Sequence, residues 1–397
     1  GTIFASMGIF EKGGIWRSTD GGATWQKLAT GLPADHFQRI KIACAPSDPD
    51  RVFALFSNDS NFDCLGIFRS DDGGDTWQPM AMPNPLGMNN LCRGMAWYCL
   101  SAAVSPTDPD HLIVGGIDLF ETSDGGQNWQ PISQWYGGFG QPFVHADQHE
   151  ITFKPGSGAT FFVGNDGGVF RGNGAPGAGK PDFTFIGNGY NVTQYYGCAI
   201  SPVAGSPLAL AGAQDNGTQL FGQNSMQNPL DSGQISQKPA MTVTGGDGGF
   251  CHFDRDQPGI QITSYVFSTV NITNDNWSTY QQITVGQGNE GLFVNPSAYD
   301  DSTNTLFMAF EFNQIAMIKD VGGQNLPQIT NIPLNNSYIT CISVLPASVS
   351  GPDCLLVGLS NGDVAKIEHA RAAAPKVTVL RSGSGWPVRS FSNVCLS

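Results

Sequence analysis

The sequence predicts an all-β protein built from repeated units, and three observations support this prediction. A nine-residue motif at residues 17–25 returns at residues 69–77 and 121–129, so that its aspartates stand 52 residues apart both times. Spacing on this scale is typical of stacked or radial repeats. Glycine (51) and proline (25) make up about 19% of the 397 residues, against about 12% in an average protein. No segment has helical periodicity beyond a short turn near residues 369–374.

Each copy of the motif reads S/T-x-D-G-G-x-x-W and lies between two short apolar segments, as in a β-hairpin. The Gly-Gly pair suits the positive φ angles of a tight turn, and the aspartate can accept hydrogen bonds from amides of its own turn. The tryptophan is then expected to pack beneath the turn and to be largely buried. The six structural residues predicted in this way are Asp20, Trp25, Asp72, Trp77, Asp124 and Trp129.

The motif resembles the Asp-box, or BNR, repeat of sialidase-like β-propellers, which also occurs in sortilin-type receptors and xyloglucan-cleaving enzymes. The resemblance rests on three full copies, and a damaged fourth copy lies at residues 274–277. It implies a β-propeller whose boxes hold turns and perform no chemistry. Sialidases also carry three substrate-binding arginines and a Phe-Arg-Ile-Pro element, and neither pattern is present in this sequence. A xyloglucanase-like activity needs only two aspartates, but it implies a long cleft between two propellers, and this sequence predicts one.

A second signal, a strand ending at proline before a polar turn and another strand, gives the number of repeats. Its clearest copies are residues 46–50 and 106–110, and weaker copies follow at Pro155, Pro202, Asp254, Pro296 and Pro346. The mean interval of 50 residues leaves room for four strands with their turns. Seven such marks, and one unit spanning the chain ends, predict a single β-propeller domain over residues 1–397. We expect eight four-stranded antiparallel blades, with seven as the alternative.

The two chain ends together predict one blade. Residues 391–397 resemble the first strand of a blade, and residues 1–6 resemble the strand that follows. The blade would combine residues 388–397 with residues 1–28, because closing the ring removes open strand edges. In the alternative, the terminal strand completes the blade of a neighbouring molecule and builds a filament.

Composition excludes two classes of partner. A net charge of −14 with only 19 lysines and arginines argues against nucleic acid and against anionic membranes, which bind through basic clusters. No apolar run is long enough to insert into a membrane. Abundant polar residues with few lysines predict an extracellular or cell-surface protein, and the start at Gly1 without methionine is expected of a mature or trimmed chain.

The nine cysteines are an odd number, so at least one is expected outside any pairing within the chain. Cys341 and Cys354 flank a predicted turn, and Cys92 and Cys99 bracket a short loop. Both pairs are predicted disulfides in an oxidising compartment, and buried thiols are the alternative. No CxxC pair is present, which argues against a structural zinc site.

The densest group of ligand-type side chains lies between residues 144 and 247. His145, Asp147 and His149 would share one face of an extended strand. Neighbours on that face are about 6.6 Å apart, too far for one zinc ion, so we expect a hydrogen-bonded polar cluster and no metal site. Calcium in the acidic turns is left as an alternative.

Three further aspartates, Asp166, Asp215 and Asp247, lie in glycine-rich turns and are predicted to gather near the propeller axis. Together with Asp147 they are weak catalytic candidates, since two facing carboxylates can hydrolyse a glycosidic bond. Together with the two histidines they are candidates for ligand binding. The alternative is that each aspartate only ties its own turn.

Three functions remain open from sequence. The first expectation is a secreted structural or interaction propeller that self-associates, with filaments as one form, and that has no catalytic residues and no cofactor. The second is a glycoside hydrolase using the four aspartates. The third is a lectin-like module that stacks sugar rings of a cell-surface glycan on Trp135, Tyr136, Tyr195 or Tyr196.

Overall fold

The computed structural model describes residues 1–8, 13–83, 91–138, 140–188, 193–222, 240–311, 314–322, 328–331, 337–347 and 353–380. These residues form 31 β-strands in eight antiparallel sheets, each with strands hydrogen-bonded in chain order. The sheets confirm the all-β class and the eight blades of the predicted β-propeller fold. Among the described residues, no helix has the length and apolarity needed to cross a membrane.

The chain divides into two compact units, Gly1–Asn191 and Val192–Ser397. The first unit contains sheets 1 to 4. Sheet 1 is β1 Ile3–Met7, β2 Gly14–Ser18 and β3 Gln26–Leu28; sheet 2 is β4 Phe37–Ala45, β5 Asp48–Asn58, β6 Cys64–Ser70 and β7 Gln78–Pro79; sheet 3 is β8 Ser101–Val104, β9 Leu112–Gly115, β10 Leu119–Thr122 and β11 Gln130–Pro131; sheet 4 is β12 Gln148–Phe153, β13 Thr160–Asn165, β14 Gly168–Asn173 and β15 Asp182–Phe185.

The second unit contains sheets 5 to 8. Sheet 5 is β16 Gly197–Ile200, β17 Ala209–Ala213, β18 Gly217–Phe221 and β19 Met241–Thr244; sheet 6 is β20 Cys251–Phe253, β21 Gln261–Ser264, β22 Thr269–Thr273 and β23 Gln281–Thr284; sheet 7 is β24 Ser297–Asp300, β25 Thr305–Phe310, β26 Gln314–Ile318 and β27 Gln328–Asn331; sheet 8 is β28 Ile339–Leu345, β29 Cys354–Leu359, β30 Val364–Glu368 and β31 Lys376–Leu380.

Sheet 1 has three described strands, whereas the other sheets have four. The fourth strand predicted for it, from residues 388–397, lies outside the described residues. Its pairing with residues 1–28, and the single domain that this pairing would close, therefore stay predictions.

Within each unit, consecutive sheets pack face to face around separate hydrophobic clusters. Strand β5 shows how the sequence encodes this packing. Val52, Ala54 and Phe56 contribute to the cluster shared with sheet 1, while Phe53 and Leu55 contribute to the cluster shared with sheet 3. Since successive side chains point to opposite faces, a strand covered on both faces becomes a continuous apolar run.

The Asp-box turns join the last two strands of a sheet. In the first box, Ser18 Oγ donates to Asp20 Oδ1 at 2.7 Å, and Thr24 donates to the same carboxylate through its amide at 2.9 Å and its hydroxyl at 2.6 Å. Asp72 accepts the same set of bonds in its own turn, and at Asp124 the carboxamide of Asn128 replaces the second hydroxyl. The hydroxyl and amide of Thr76 are the main cause that lowers the pKa of Asp72 to about 2.

A fourth box is present at Asp275 although its sequence has lost the Gly-Gly pair. Its carboxylate accepts bonds from the Thr273 hydroxyl at 2.8 Å and from the Thr279 amide and hydroxyl at 2.9 and 2.7 Å. Asn276 and Trp277 take the left-handed conformation of the missing glycines, with φ of 56° and 69°. The turn therefore keeps its geometry at the cost of two strained residues.

The prediction that all three box tryptophans are largely buried is wrong for Trp25, which is 41% exposed, whereas Trp77 is 4% exposed. Trp77 joins the cluster between sheets 1 and 2, and its amide donates to the carbonyl of Thr30 in the preceding sheet at 3.0 Å. Trp129 is half-buried, and its indole N–H donates to the Ala81 carbonyl at 2.8 Å. Trp25 differs because sheet 1 has no sheet before it within its unit.

Neither predicted disulfide is formed. Strand register places Cys354 opposite Leu345 and Cys341 opposite Gly358, so the two cysteines are four positions, about 13 Å, out of step along the hairpin. Cys92 and Cys99 are near each other, but both are thiols: Cys92 donates to the Cys99 carbonyl at 3.1 Å and Cys99 to the Met95 carbonyl at 3.4 Å. Burial, above all, raises the pKa of the Cys92 thiol, which disfavours the reactive thiolate.

The two tryptophan environments give a first prediction. We expect Trp77→Ala to lower the free energy of unfolding by about 3 to 5 kcal/mol, the usual cost of deleting a buried aromatic side chain. Trp25→Ala should cost less, about 1 kcal/mol, because 41% of this residue is already exposed in the folded protein. Urea unfolding followed by circular dichroism measures both, and equal losses for the two variants would contradict the packing described here.

Candidate functional site

A cluster of acids and their partners lies at one edge of sheets 3 and 4. Asp118 is in the turn between β9 and β10, and Asp166 is in the corresponding turn between β13 and β14. Asp147 directly precedes β12, and Tyr98 lies just before β8. In an up-and-down sheet the first strand begins where the turn between the second and third strands lies. The cluster therefore occupies the edge opposite the Asp-boxes.

Asp166 is held by two side chains. The Tyr98 hydroxyl lies 3.0 and 2.9 Å from its two carboxylate oxygens, and His149 Nε2 lies 2.5 Å from Oδ1. The rings of Tyr98 and His149 meet edge to face, with centroids 4.7 Å apart. The bond to Asp166 is the main cause that raises the pKa of His149. Two donors on one carboxylate stabilise its negative charge.

Asp147 has a contrasting environment. It is 6% exposed, its φ is +65°, and within the described residues its Oδ1 atom has no hydrogen-bond partner. Oxygen atoms of Asp147 and Asp166 approach within 4.8 Å. Burial and, next, the charge of Asp166 raise the pKa of Asp147. A strained backbone and a buried carboxylate oxygen without a hydrogen-bond partner are features that a fold retains chiefly at functional sites.

Asp118 is a member of the cluster that the sequence analysis missed. It is 3% exposed, accepts a hydrogen bond from the Trp135 amide at 2.8 Å and pairs with Arg93 at 3.3 Å. Burial is the main cause that raises its pKa to about 6, and the charge of Asp147 adds to this. Its turn, Gly116-Ile117-Asp118, lacks the Asp-Gly-Gly sequence that drew attention to Asp166. Alignment of sheet 3 with sheet 4 by their second and third strands would have identified it.

The prediction that His145, Asp147 and His149 share one face of an extended strand is wrong. Strand β12 begins only at Gln148 and contains an irregularity between Gln148 and Glu150, while the left-handed φ of Asp147 turns the chain before it. Of the two histidines, His149 binds Asp166. His145 instead packs on Gly167, where an added Cβ would lie 2.4 Å from its ring.

Asp215 and Asp247, the other predicted acids, lie in the second unit. The amide of Asp215 donates to Asp247 Oδ1 at 2.9 Å, and Asp215 has a φ of +60°. Asp247 thus ties a neighbouring turn rather than its own.

Exposed aromatic rings accompany the acid cluster of the first unit. Trp135 and Tyr136 are 42% and 47% exposed and contact each other edge to face at 5.1 Å. Trp97, which the sequence analysis did not single out, is 54% exposed and lies 5.5 Å from the ring of Tyr98. In the second unit, the hydroxyls of Tyr195 and Tyr196 donate to Gln219 and Gln214 at 2.9 and 2.5 Å. Flat exposed rings of this kind can carry sugar rings.

The raised pKa of Asp118 gives a second prediction. Because the pKa of Asp118 is about 6 in the folded state and 3.8 for an ordinary aspartate, its protonation stabilises the fold fully below pH 4, and this contribution is lost as pH rises through 6. Asp118→Asn keeps an acceptor for the Trp135 amide and removes the titration. We expect the stability of the parent relative to this variant to fall by up to about 3 kcal/mol between pH 4 and 7, measured by urea unfolding. Parallel pH profiles for the two proteins would refute the buried charge.

Comparison with known proteins adds a family signal and several relatives. The family model described as the BNR/Asp-box repeat matches residues 16–27 and 68–79. A xyloglucanase of Acetivibrio thermocellus is 30% identical over 132 residues, which is 31% of this chain and 15% of that protein. An oligoxyloglucan-reducing end-specific xyloglucanase of Emericella nidulans is 28% identical over 171 residues, 39% of this chain and 20% of that protein.

The matched segments thus span no more than about a fifth of the length of these two relatives. Among solved structures, a GH74 xyloglucanase from Xanthomonas campestris aligns with 92% of this chain and 60% of its own, at 14% identity and a TM-score of 0.48. The chain therefore carries BNR/Asp-box repeats on an all-β fold of β-propeller blades.

Proposed function

We propose that this protein is an extracellular glycoside hydrolase that acts on a xyloglucan-type polysaccharide. The xyloglucanase relatives contradict the expectation of a structural or filament-forming protein, which is therefore wrong. The proposal matches the alternative drawn from sequence. Its substrate class comes from the names of those relatives, and its site comes from the acid cluster of the first unit.

The observation that carries the proposal is the pair of carboxylates, Asp147 and Asp166, within 4.8 Å of each other in unlike environments. Glycoside hydrolysis needs one carboxyl group that donates a proton to the leaving oxygen and one that acts as an anion on the sugar. Asp147 suits the acid, because burial and the neighbouring charge raise its pKa. Asp166 suits the anion, because Tyr98 and His149 stabilise its charge.

The first step then follows from these roles. Asp147 passes its proton to the glycosidic oxygen while the bond between this oxygen and the anomeric carbon breaks. Asp166 stabilises the positive charge that develops on the sugar ring and bonds to the anomeric carbon as the nucleophile, because a pair this close leaves no room for a water between the two carboxylates. Trp97 and Trp135 offer exposed rings beside the cluster against which sugar units can lie.

The third prediction tests the two carboxylates. Asp147→Asn and Asp166→Asn should each lower kcat on xyloglucan by at least about 100-fold, the lower range for a general acid or base. Reducing ends released from xyloglucan, cellulose and mixed-linkage glucan provide the measurement. Asp182→Asn, at an exposed position of β15, is the matched control and should keep full activity.

Melting temperatures of the three variants separate catalysis from folding. Loss of activity in Asp147→Asn or Asp166→Asn at an unchanged melting temperature supports the proposal. Full activity in both variants would remove this pair from the mechanism.

A fourth prediction concerns pH. Asp147 must be protonated to act, so activity should fall as pH rises through its pKa, which lies above that of an ordinary aspartate. The alkaline limb of the kcat profile should therefore lie above pH 4. An alkaline limb that is unchanged in a slow but active Asp147→Glu variant would assign it to another group.

Glycan binding without cleavage is a second candidate, favoured by the exposed rings of Trp97, Trp135 and Tyr136. Affinity electrophoresis in xyloglucan gels distinguishes the two. Retardation of the parent together with no release of reducing ends would favour binding alone, and Trp97→Ala should then weaken the retardation.

A further inference from the structure

An open groove lies between sheets 6 and 7 of the second unit, at their Asp-box edge. The groove has a volume of about 590 Å³. Its walls come from the turns that end β20, β22, β24 and β26, and its polar lining includes Gln257, Asn274, Asn304 and Asp320 together with the backbone around Val321. None of its lining residues is aromatic, so it offers no surface for stacking a sugar ring.

At two of the three corresponding positions of the first unit, an arginine of the chain itself reaches the next sheet, whereas Glu121 stands at the third position, in sheet 3. Between sheets 1 and 2, Arg17 Nη1 donates to the Gly73 carbonyl at 2.7 Å, and Nη2 pairs with Asp75 at 2.7 Å. Between sheets 2 and 3, Arg69 Nη1 donates to the Gly125 carbonyl at 3.0 Å. In each case a guanidinium of one sheet binds the backbone of the Asp-box turn of the next sheet.

Backbone hydrogen bonds establish which residues of the second unit are equivalent. The amides of Gly73 and Gly125 donate to the carbonyls of Asp50 and Asp110, both at 2.9 Å. The amide of Val321 donates to the Asn304 carbonyl at the same distance. Val321 therefore occupies the position whose carbonyl accepts the guanidinium in the first unit, and Asn304 occupies the position of the two aspartates.

Strand register shows what replaces the arginine. Arg69 is paired with Phe53 across β5 and β6, and the equivalent pair in sheet 6 is Ile262 with Ile272. Ile272 is buried in the hydrophobic cluster between sheets 6 and 7. The side chain at this position is thus an aliphatic one, and among the described residues the groove keeps room for a guanidinium and its stem.

We propose that this groove binds the side chain of an arginine presented by a peptide or protein ligand. The planar guanidinium carries five donors, which suit a rim of carbonyl, carboxamide and carboxylate oxygens. The net charge of −14 favours the approach of a cation. A lysine ammonium lacks the planar fork that allows Arg17 to bind a carbonyl and a carboxylate at once. The site is independent of the acid cluster of the first unit.

The test uses the full chain and small arginine probes. Ligand-observed NMR titration with Nα-acetyl-arginine amide should give saturable binding with a Kd in the millimolar range, and the lysine analogue should bind at least fivefold more weakly. Asn304→Asp restores the carboxylate found at Asp50 and Asp110, and it should tighten arginine binding severalfold. A peptide with a single arginine between alanines should bind at least as well as the amide, because the groove is proposed to bind an arginine side chain that a peptide presents.

Two variants serve as controls. Asn289→Asp adds the same charge at an exposed position after β23, at the sheet edge opposite the groove, and should leave arginine affinity unchanged. Ile272→Arg supplies the guanidinium from the chain itself and should abolish probe binding in the folded protein, as monitored by circular dichroism. The proposal is overturned by an absence of saturable binding to 50 mM, by equal binding of the two amides, or by equal tightening in Asn304→Asp and Asn289→Asp.

Discussion

Burial of both faces of the inner strands is the constraint on which this structure depends. A strand such as β5 cannot remain in water alone, since every residue from Val52 to Phe56 is almost fully buried. An inner sheet such as sheet 2 therefore requires a neighbour on either side within its unit, and the chain provides neighbours by repeating the same set of hairpins about every 50 residues. The Asp-box adds hydrogen bonds within the turn. Its aspartate accepts bonds from amides and side chains that would otherwise bond to water, so the turn stays folded at a solvent-exposed edge.

The acid cluster lies at the other edge of sheets 3 and 4. There two short hairpin turns and the segment just before β12 bring together carboxylates that repel one another. Asp118 and Asp147 are buried beside other carboxylates, and both have raised pKa values as a result. Asp166 differs from them because Tyr98 and His149 bind its carboxylate. A set of acids with such unlike surroundings is the arrangement that hydrolysis of a glycosidic bond requires.

The fold could be predicted from sequence because its signals are local. Three Gly-Gly turns at constant spacing indicate hairpins regardless of how distant parts of the chain pack. The proline turns between them indicate the number of sheets. The disulfide between Cys341 and Cys354 was wrongly predicted because hairpin register depends on loop geometry, which the spacing of two cysteines does not determine. Asp147 was placed wrongly because its own left-handed backbone breaks the alternation of side chains between the two faces, on which the strand prediction relied. The exposure of Trp25 depends on what lies beside sheet 1, which is a property of the assembled sheets and not of the box.

The fourth box shows what the repeat preserves. The family model finds two copies, yet the same carboxylate bonds occur in four turns, and in one of them asparagine and tryptophan stand where glycines are expected. The hydrogen-bonding pattern of the turn is therefore retained where the Gly-Gly sequence is not. For a chain that diverges, this means that both glycines of an Asp-box can be replaced while the Ser/Thr and Asp positions are kept, so that a repeat that a family model no longer matches still forms its turn. The acid cluster lies at the opposite edge of its sheets, so such replacements in a box leave its carboxylates in place.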